Sequence, residues 1–333
     1  MKTITLIMAF IIHIIASSSL FAQSPSKKDI AFIAGFDEGD NTYYTNAKQH
    51  FSQSGFLVVE QLYALTEILD WIRLHYDRNN HGNIHIVSHS NPWRGLSLKT
   101  TSEGQRITET ALSFAMANQL IRPLARQELT KDTKIIFHSC GLGQNESLLR
   151  LLKKASTEDD SVHIYASELF NVFGGKYSSH YLAKTYYGYY PTAQSPGPRQ
   201  LAKEFKSKYP NVDADWESII KTRTEQLSGD LYTYKFNIPI EWEFEFEEQA
   251  DIPVFKSKED IMEWISLIDE LKNEIEALQI PIEKFRWLYK TRGNSLFIYG
   301  KTTVLCVLQP IMQTQRPTRY LPVDVESQHY VKL

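Results

Sequence analysis

Apolar and polar positions follow one rhythm through the first half of this chain and another through the second. From Asp29 onward, short apolar runs recur between longer stretches with helical spacing. Asp29 to Gly35, Phe56 to Leu62, Asn83 to Ser88, Lys134 to Ser139 and Val162 to Ser167 read as buried strands. Between them, Thr45 to Ser54, Leu65 to His75, Thr108 to Leu124 and Asn145 to Ala155 read as helices. The second of these has helical spacing at Leu65, Ile68, Leu69, Ile72 and Leu74. A turn, Asn79-Asn80-His81-Gly82, introduces the third strand. Short buried strands separated by helices predict an α/β fold over 28–190, a mostly parallel sheet with helices on both faces.

Near Pro191 the rhythm stops. Residues 191–199 are rich in Pro, Gly and Ser and read as a linker, which sets off a C-terminal α+β region over 200–333. There, Ile240 to Glu247 alternates strictly and predicts a strand with one aromatic and one acidic face. Ser257 and Asp260 have the spacing of a capping box. The helix they open carries apolar residues from Ile261 through Leu278. Leu296 to Tyr299 and Thr302 to Leu308 read as a hairpin turning at Gly300-Lys301.

The first residues stand apart from both patterns. Lys2, the apolar stretch Ile4 to Ile15 and the small residues up to Ala22 have the layout of a secretory signal peptide over 1–22, cut after Ala22. The apolar stretch is short for the roughly 20 residues of a spanning helix. The expectation is a secreted or periplasmic protein with no stable membrane insertion once the signal is removed. Composition adds little to exclude this: 42% of residues are hydrophobic and the formal net charge is -3, so nothing favours a nucleic-acid partner. Two cysteines, Cys140 and Cys306, can form one bridge at most.

Candidate chemistry lies at two strand ends. The third strand runs Ile84-His85-Ile86-Val87-Ser88-His89-Ser90, and the fourth Ile135-Ile136-Phe137-His138-Ser139-Cys140-Gly141-Leu142-Gly143. In open parallel sheets, ligands bind beyond the carboxyl ends of the strands. If these two strands are neighbours, the His89 imidazole and the Cys140 thiol share one cleft. A thiolate nucleophile activated by a histidine follows from that pairing. Gly141 and Gly143 leave little bulk beside Cys140, so a substrate carbonyl could approach backbone N–H groups there.

These two blocks resemble those of caspase-like cysteine peptidases, the broad group that includes clostripain, gingipain and legumain. In that group one apolar strand ends in His and another, about 50 residues on, ends in Cys. Gly95-Leu96-Ser97-Leu98 and the stretch Ile107 to Leu112 are similar to the connection between those blocks. The resemblance covers roughly 28–190. It implies the caspase-like fold, a Cys140–His89 dyad cleaving peptide bonds in a protein or peptide substrate, and no cofactor. It also implies oxyanion binding next to the histidine, where the group has Gly and this chain has Ser90.

Asp37, Glu38 and Asp40 follow the first strand and Glu168 follows the fifth, so these carboxylates are expected on the catalytic side. Such a rim would favour Arg or Lys before the cleaved bond. Self-cleavage after Arg199 would follow from that preference. Two other functions compete with the peptidase. One is a serine hydrolase using Ser90, since Ser88-His89-Ser90-Asn91-Pro92 lies near the G-x-S-x-G pattern but lacks both glycines. The other is an inactive peptidase-like binding protein, which a Cys140–Cys306 bridge would support. Metal binding is not expected. On a strand, His85 and His89 stand about 13 Å apart, whereas zinc ligands lie about 2.0–2.3 Å from the metal. His85, His138 and His163 are instead expected to be packed or hydrogen-bonded within the sheet.

Overall fold

The computed structural model describes residues 27–37, 41–78, 81–222 and 224–333. The signal segment, the rim residues Glu38 and Asp40, and the turn residues Asn79 and Asn80 lie outside them.

The first half comprises β1 (Lys28–Ala34), α1 (Thr42–Gln53), β2 (Leu57–Leu62), α2 (Leu65–His75), β3 (His81–Val87), β4 (Ser90–Asn91), β5 (Gly95–Lys99), β6 (Arg106–Ile107), α3 (Glu109–Ala117), β7 (Lys134–His138), α4 (Glu146–Ser156) and β8 (His163–Ser167). The second comprises β9 (Phe170–Phe173), β10 (His180–Pro191), α5 (Pro198–Lys208), α6 (Trp216–Thr222), β11 (Tyr232–Glu245), α7 (Lys258–Ser266), α8 (Asp269–Ala277), β12 (Arg286–Arg292), β13 (Ser295–Pro310), β14 (Met312–Gln313), β15 (Arg316–Tyr320) and β16 (Tyr330–Lys332).

The protein is mixed α/β. Its first sheet has six strands in the order β16-β8-β7-β3-β1-β2, and all neighbours pair in parallel except β16 on β8. Strand periodicity sorts the side chains of β1. Ile30, Phe32 and Ala34 enter the core built with α2, α3 and α4. Ala31 and Ile33 face the opposite way, onto Tyr44, Ala47 and Phe51 of α1. That second face is only partly covered by helix: toward β7 and β8, Ile136 and Tyr165 pack on Leu182 of β10.

Helix ends differ from the periodicity for local reasons. α1 starts earlier than expected because Asn41 caps it, its side chain accepting from the Tyr43 N–H. α3 stops at Ala117 instead of reaching Leu124. Asn118 caps it, and Gln119 takes a left-handed φ of 56° that ends the helical path. The capping box at Ser257 and Asp260 is formed. The helix it opens breaks at the extended residue Ile268 into α7 and α8, while Ile261, Ile265, Leu271 and Ile275 still share one core.

The second sheet is antiparallel, in the order β11-β13-β10-β9, with β12 also paired to β13. The hairpin expected at Gly300-Lys301 is absent; both residues lie inside the 16-residue strand β13. Gly300 is there for space, since a Cβ would stand 2.4 Å from the Trp287 ring. The turn falls earlier, at Gly293 with φ 58°, between β12 and β13. The alternating segment does form a strand inside β11, with its aromatic residues packed on the core and its glutamates exposed.

Residues on the two sides of 191–199 share both sheets. β10 pairs over Ala183–Pro191 with Pro310–Thr302 of β13, and β16 returns to the edge of the first sheet. The segment is thus a connection leading into α5, whose first turn holds Pro198 and Arg199. Cleavage after Arg199 would require that turn to unwind. No helix among the described residues is long and apolar enough to cross a membrane.

Candidate active site

β3 and β7 are parallel neighbours, with Val87 opposite His138. His89 and Cys140 each follow that pair by two residues, so the register brings the imidazole and the thiol to one level beyond the sheet. Both line a single cleft of about 910 Å³, bounded by the start of α1, by β9 and by the first residues of β11. Ser90 and Asp37 line it as well.

His89 is half-buried among residues of α1. Its ring stacks on Tyr43 at 4.2 Å and meets the edge of Tyr44 at 4.9 Å. Asn41 approaches Nε2 through its Nδ2 at 2.8 Å. The backbone N–H of His89 donates to the Tyr44 hydroxyl, which donates in turn to Asp37 at 2.7 Å. Asp37 therefore holds the histidine's support, with one carboxylate oxygen already engaged. Burial lowers the His89 pKa; the nearby Asp37 charge opposes this and Arg106 reinforces it.

Cys140 is 7% exposed. Its thiol donates to the Asn171 carbonyl at 3.5 Å, and burial pushes its pKa up to about 12. The Gly141 N–H donates to the Leu169 carbonyl, and Gly141 itself adopts φ 67°, a conformation that favours glycine. Gly143 is packed against the end of β8, where a Cβ would stand 2.7 Å from the Ala166 oxygen. Neither glycine lines the cleft among the described residues, and neither does Glu168. The Ser90 hydroxyl donates to the Cys140 carbonyl at 2.6 Å. Ser90 sits in a two-residue strand, not at a strand-to-helix elbow. Cys306 is fully buried in the same apolar cluster as Cys140, and both are free thiols.

Several residues of the cleft carried no sequence signal. Glu225 hydrogen-bonds the Tyr181 hydroxyl through Oε2 at 2.6 Å, while its buried Oε1 has no partner among the described residues. Burial raises its pKa. On the other side, Arg94 and Arg106 enter the cleft and form no ion pair with a described residue. Arg106 lies over the Phe36 ring at 4.8 Å. Asn41 was detectable in principle as the cap before Tyr43, but its contact with a histidine 48 positions away was not.

Behind the cleft, four further histidines cluster with Phe51 and Phe173; His85, His138 and His180 are buried, while His50 is half-buried at the edge and hydrogen-bonded to Ser179. His85 and His138 are hydrogen-bonded at 2.8 Å, His138 meets His180 at 5.2 Å, and His180 meets His50 at 5.1 Å. His163 stands apart, directed to the Leu333 carbonyl. Among the described residues, no group of three or more His, Cys, Asp or Glu is placed to hold a metal. No family model matches the chain, and no curated protein matches its sequence.

Proposed function

We propose that this chain is a cysteine endopeptidase of caspase-like fold, with Cys140 as nucleophile and His89 as general acid and base. The observation that carries this reading is the register of β3 and β7, which sets both residues on one cleft beyond adjacent parallel strands. His89 takes the thiol proton, and the sulfur attacks the peptide carbonyl. The C–N bond breaks as His89 returns that proton to the leaving amine. Water, deprotonated by the same imidazole, then releases the acid from the thioester. With the Gly141 amide engaged, the Cys140 and Ser90 amides are the candidate oxyanion donors. The secretory signal read at 1–22 would place this activity outside the cytoplasm.

Glu225 supports a preference for Arg or Lys better than Asp37 or Glu168 does. Glu225 lines the cleft and its buried Oε1 is unpartnered among the described residues, so a guanidinium or ammonium that reached it would pair with it. Arg94 and Arg106, on the His89 side, suit a carboxylate elsewhere in the same peptide. One observation favours a second reading, a peptide-binding protein without turnover: the thiol is nearly sealed and held by a backbone carbonyl.

A peptide-library digestion by the purified protein, with Cys140→Ala and His89→Ala alongside, tests the proposal. Cleavage that both substitutions abolish is expected. Tight peptide binding with no cleavage would select the binding protein, and cleavage retained in Cys140→Ala but lost in Ser90→Ala would select a serine hydrolase.

A further inference from the structure

The clamp on His89 is polarised by the helix cap. Asn41 touches two groups at once: its Oδ1 receives the Tyr43 N–H at 3.0 Å and its Nδ2 faces His89 Nε2 at 2.8 Å. A backbone N–H can only donate, so the atom facing Tyr43 must be the oxygen and the atom facing the ring must be the amide nitrogen. Nε2 is therefore the acceptor, and a neutral His89 carries its proton on Nδ1. With Nε2 occupied, Nδ1 is the ring nitrogen left to exchange a proton with Cys140. In this state it can donate but cannot accept.

We propose that Asn41 is the positioning residue of the dyad and works as a two-position latch on the tautomer of His89. In the latched position it caps α1 and holds the ring with the proton on Nδ1, so the Cys140 thiol keeps its own proton. In the released position the amide turns over, solvent takes the Nδ1 proton and returns one to Nε2, and Oδ1 accepts from the resulting Nε2–H. Nδ1 is then bare and takes the thiol proton, leaving a thiolate and an imidazolium whose Nε2–H is satisfied. The turn gives up the cap bond to Tyr43, so the latched position is the resting one. This inference rests on the proposed Cys140–His89 pairing only for its consequence at sulfur; the tautomer itself follows from the Asn41 geometry. The other groups facing the ring are Tyr43 and Tyr44 of α1, with Asp37 after β1 and Arg106 of β6 acting through space.

Two substitutions separate the latch from the cap. Asn41→Ser keeps a capping oxygen but cannot reach the ring. Asn41→Asp keeps the cap and presents only acceptors to Nε2. With the histidine rings labelled with ¹⁵N, and His89 assigned by its loss in His89→Ala, the native protein should show the Nδ1–H form at His89. Asn41→Asp should move it to the Nε2–H or doubly protonated form and raise its titration midpoint. Asn41→Ser should give a tautomer mixture without that rise. Iodoacetamide alkylation of Cys140 near neutral pH should become about tenfold faster in Asn41→Asp. A native His89 protonated on Nε2 overturns the latch, as does an Asn41→Asp protein whose His89 titrates like the native one. If His89→Ala leaves Cys140 alkylation unchanged, the dyad is refuted, while the ring spectra still decide the latch.

Discussion

His89 and the group of His85, His138, His180 and His50 lie close together in the fold, and their surroundings differ. His89 is held at the mouth of the cleft by Asn41, Tyr43 and Tyr44, with a thiol across the opening. His85 and His138, on β3 and β7 themselves, turn inward to His180 and His50 between Phe51 and Phe173. His89 lines the cleft, whereas His85 and His138 are packed among aromatic rings. Residue type does not separate them, since His85 lies on β3 and His89 just beyond it, with His138 at the end of the neighbouring β7. Position relative to the end of the strand does, because only residues beyond the last buried pair reach the cleft.

The largest effect should come at the mouth. Replacing Cys140 or His89 by Ala should lower peptide cleavage by about a thousandfold or more, with thermal unfolding little changed. In the inner group the balance should reverse. His180→Ala loses a ring stacked on Phe173 and a hydrogen bond to Asn171, so it should cost about 2–4 kcal/mol in denaturant unfolding. A His180→Ala protein as stable as the native one would remove the distinction drawn here. Glu225→Gln should leave the fold intact and reduce cleavage after Arg and Lys by about tenfold or more relative to other residues.

The inner group also sets a pH signature. Burial lowers the pKa values of His138, His180 and His50 from their ordinary 6.5, with mutual repulsion adding to it. The unfolded chain therefore binds protons that the folded chain refuses, and stability rises with pH where that difference holds. It should be complete above about 6.5 and fall as the pH drops below that value, before carboxylates begin to titrate. Urea midpoints measured between pH 7 and 5 report this, and His180→Phe should flatten the slope. The smallest effect belongs to Cys306. Cys306→Ala should cost about 1 kcal/mol of stability and leave Cys140 alkylation unaffected.

Much of the first sheet was legible because each strand is a short apolar run between turn residues, whereas the adjacency of β3 and β7 was only a condition of the His89–Cys140 reading until the sheet order supplied it. His89 and Cys140 were legible for the same reason, as each directly follows its run. Long-range partners were not. Asn41 meets His89 across 48 positions and Glu225 meets Tyr181 across 44, and nothing local announces either contact. β13 was misread because Gly-Lys looks like a turn, whereas Gly300 makes room for Trp287 inside a continuous strand. β16 completes the first sheet from the end of the chain, with only Tyr330–Lys332 to signal it. Glu168 seemed to belong to the rim because it follows β8; its N–H instead binds the His329 carbonyl just before β16.

The most direct test is alkylation of the purified, unreduced protein by iodoacetamide, with the adduct located by mass spectrometry in native and His89→Ala forms. The account predicts modification at Cys140 and not at Cys306, at a rate that falls when His89 is removed. Equal rates with and without His89, or a Cys140 that remains unreactive while the protein is folded, would contradict it.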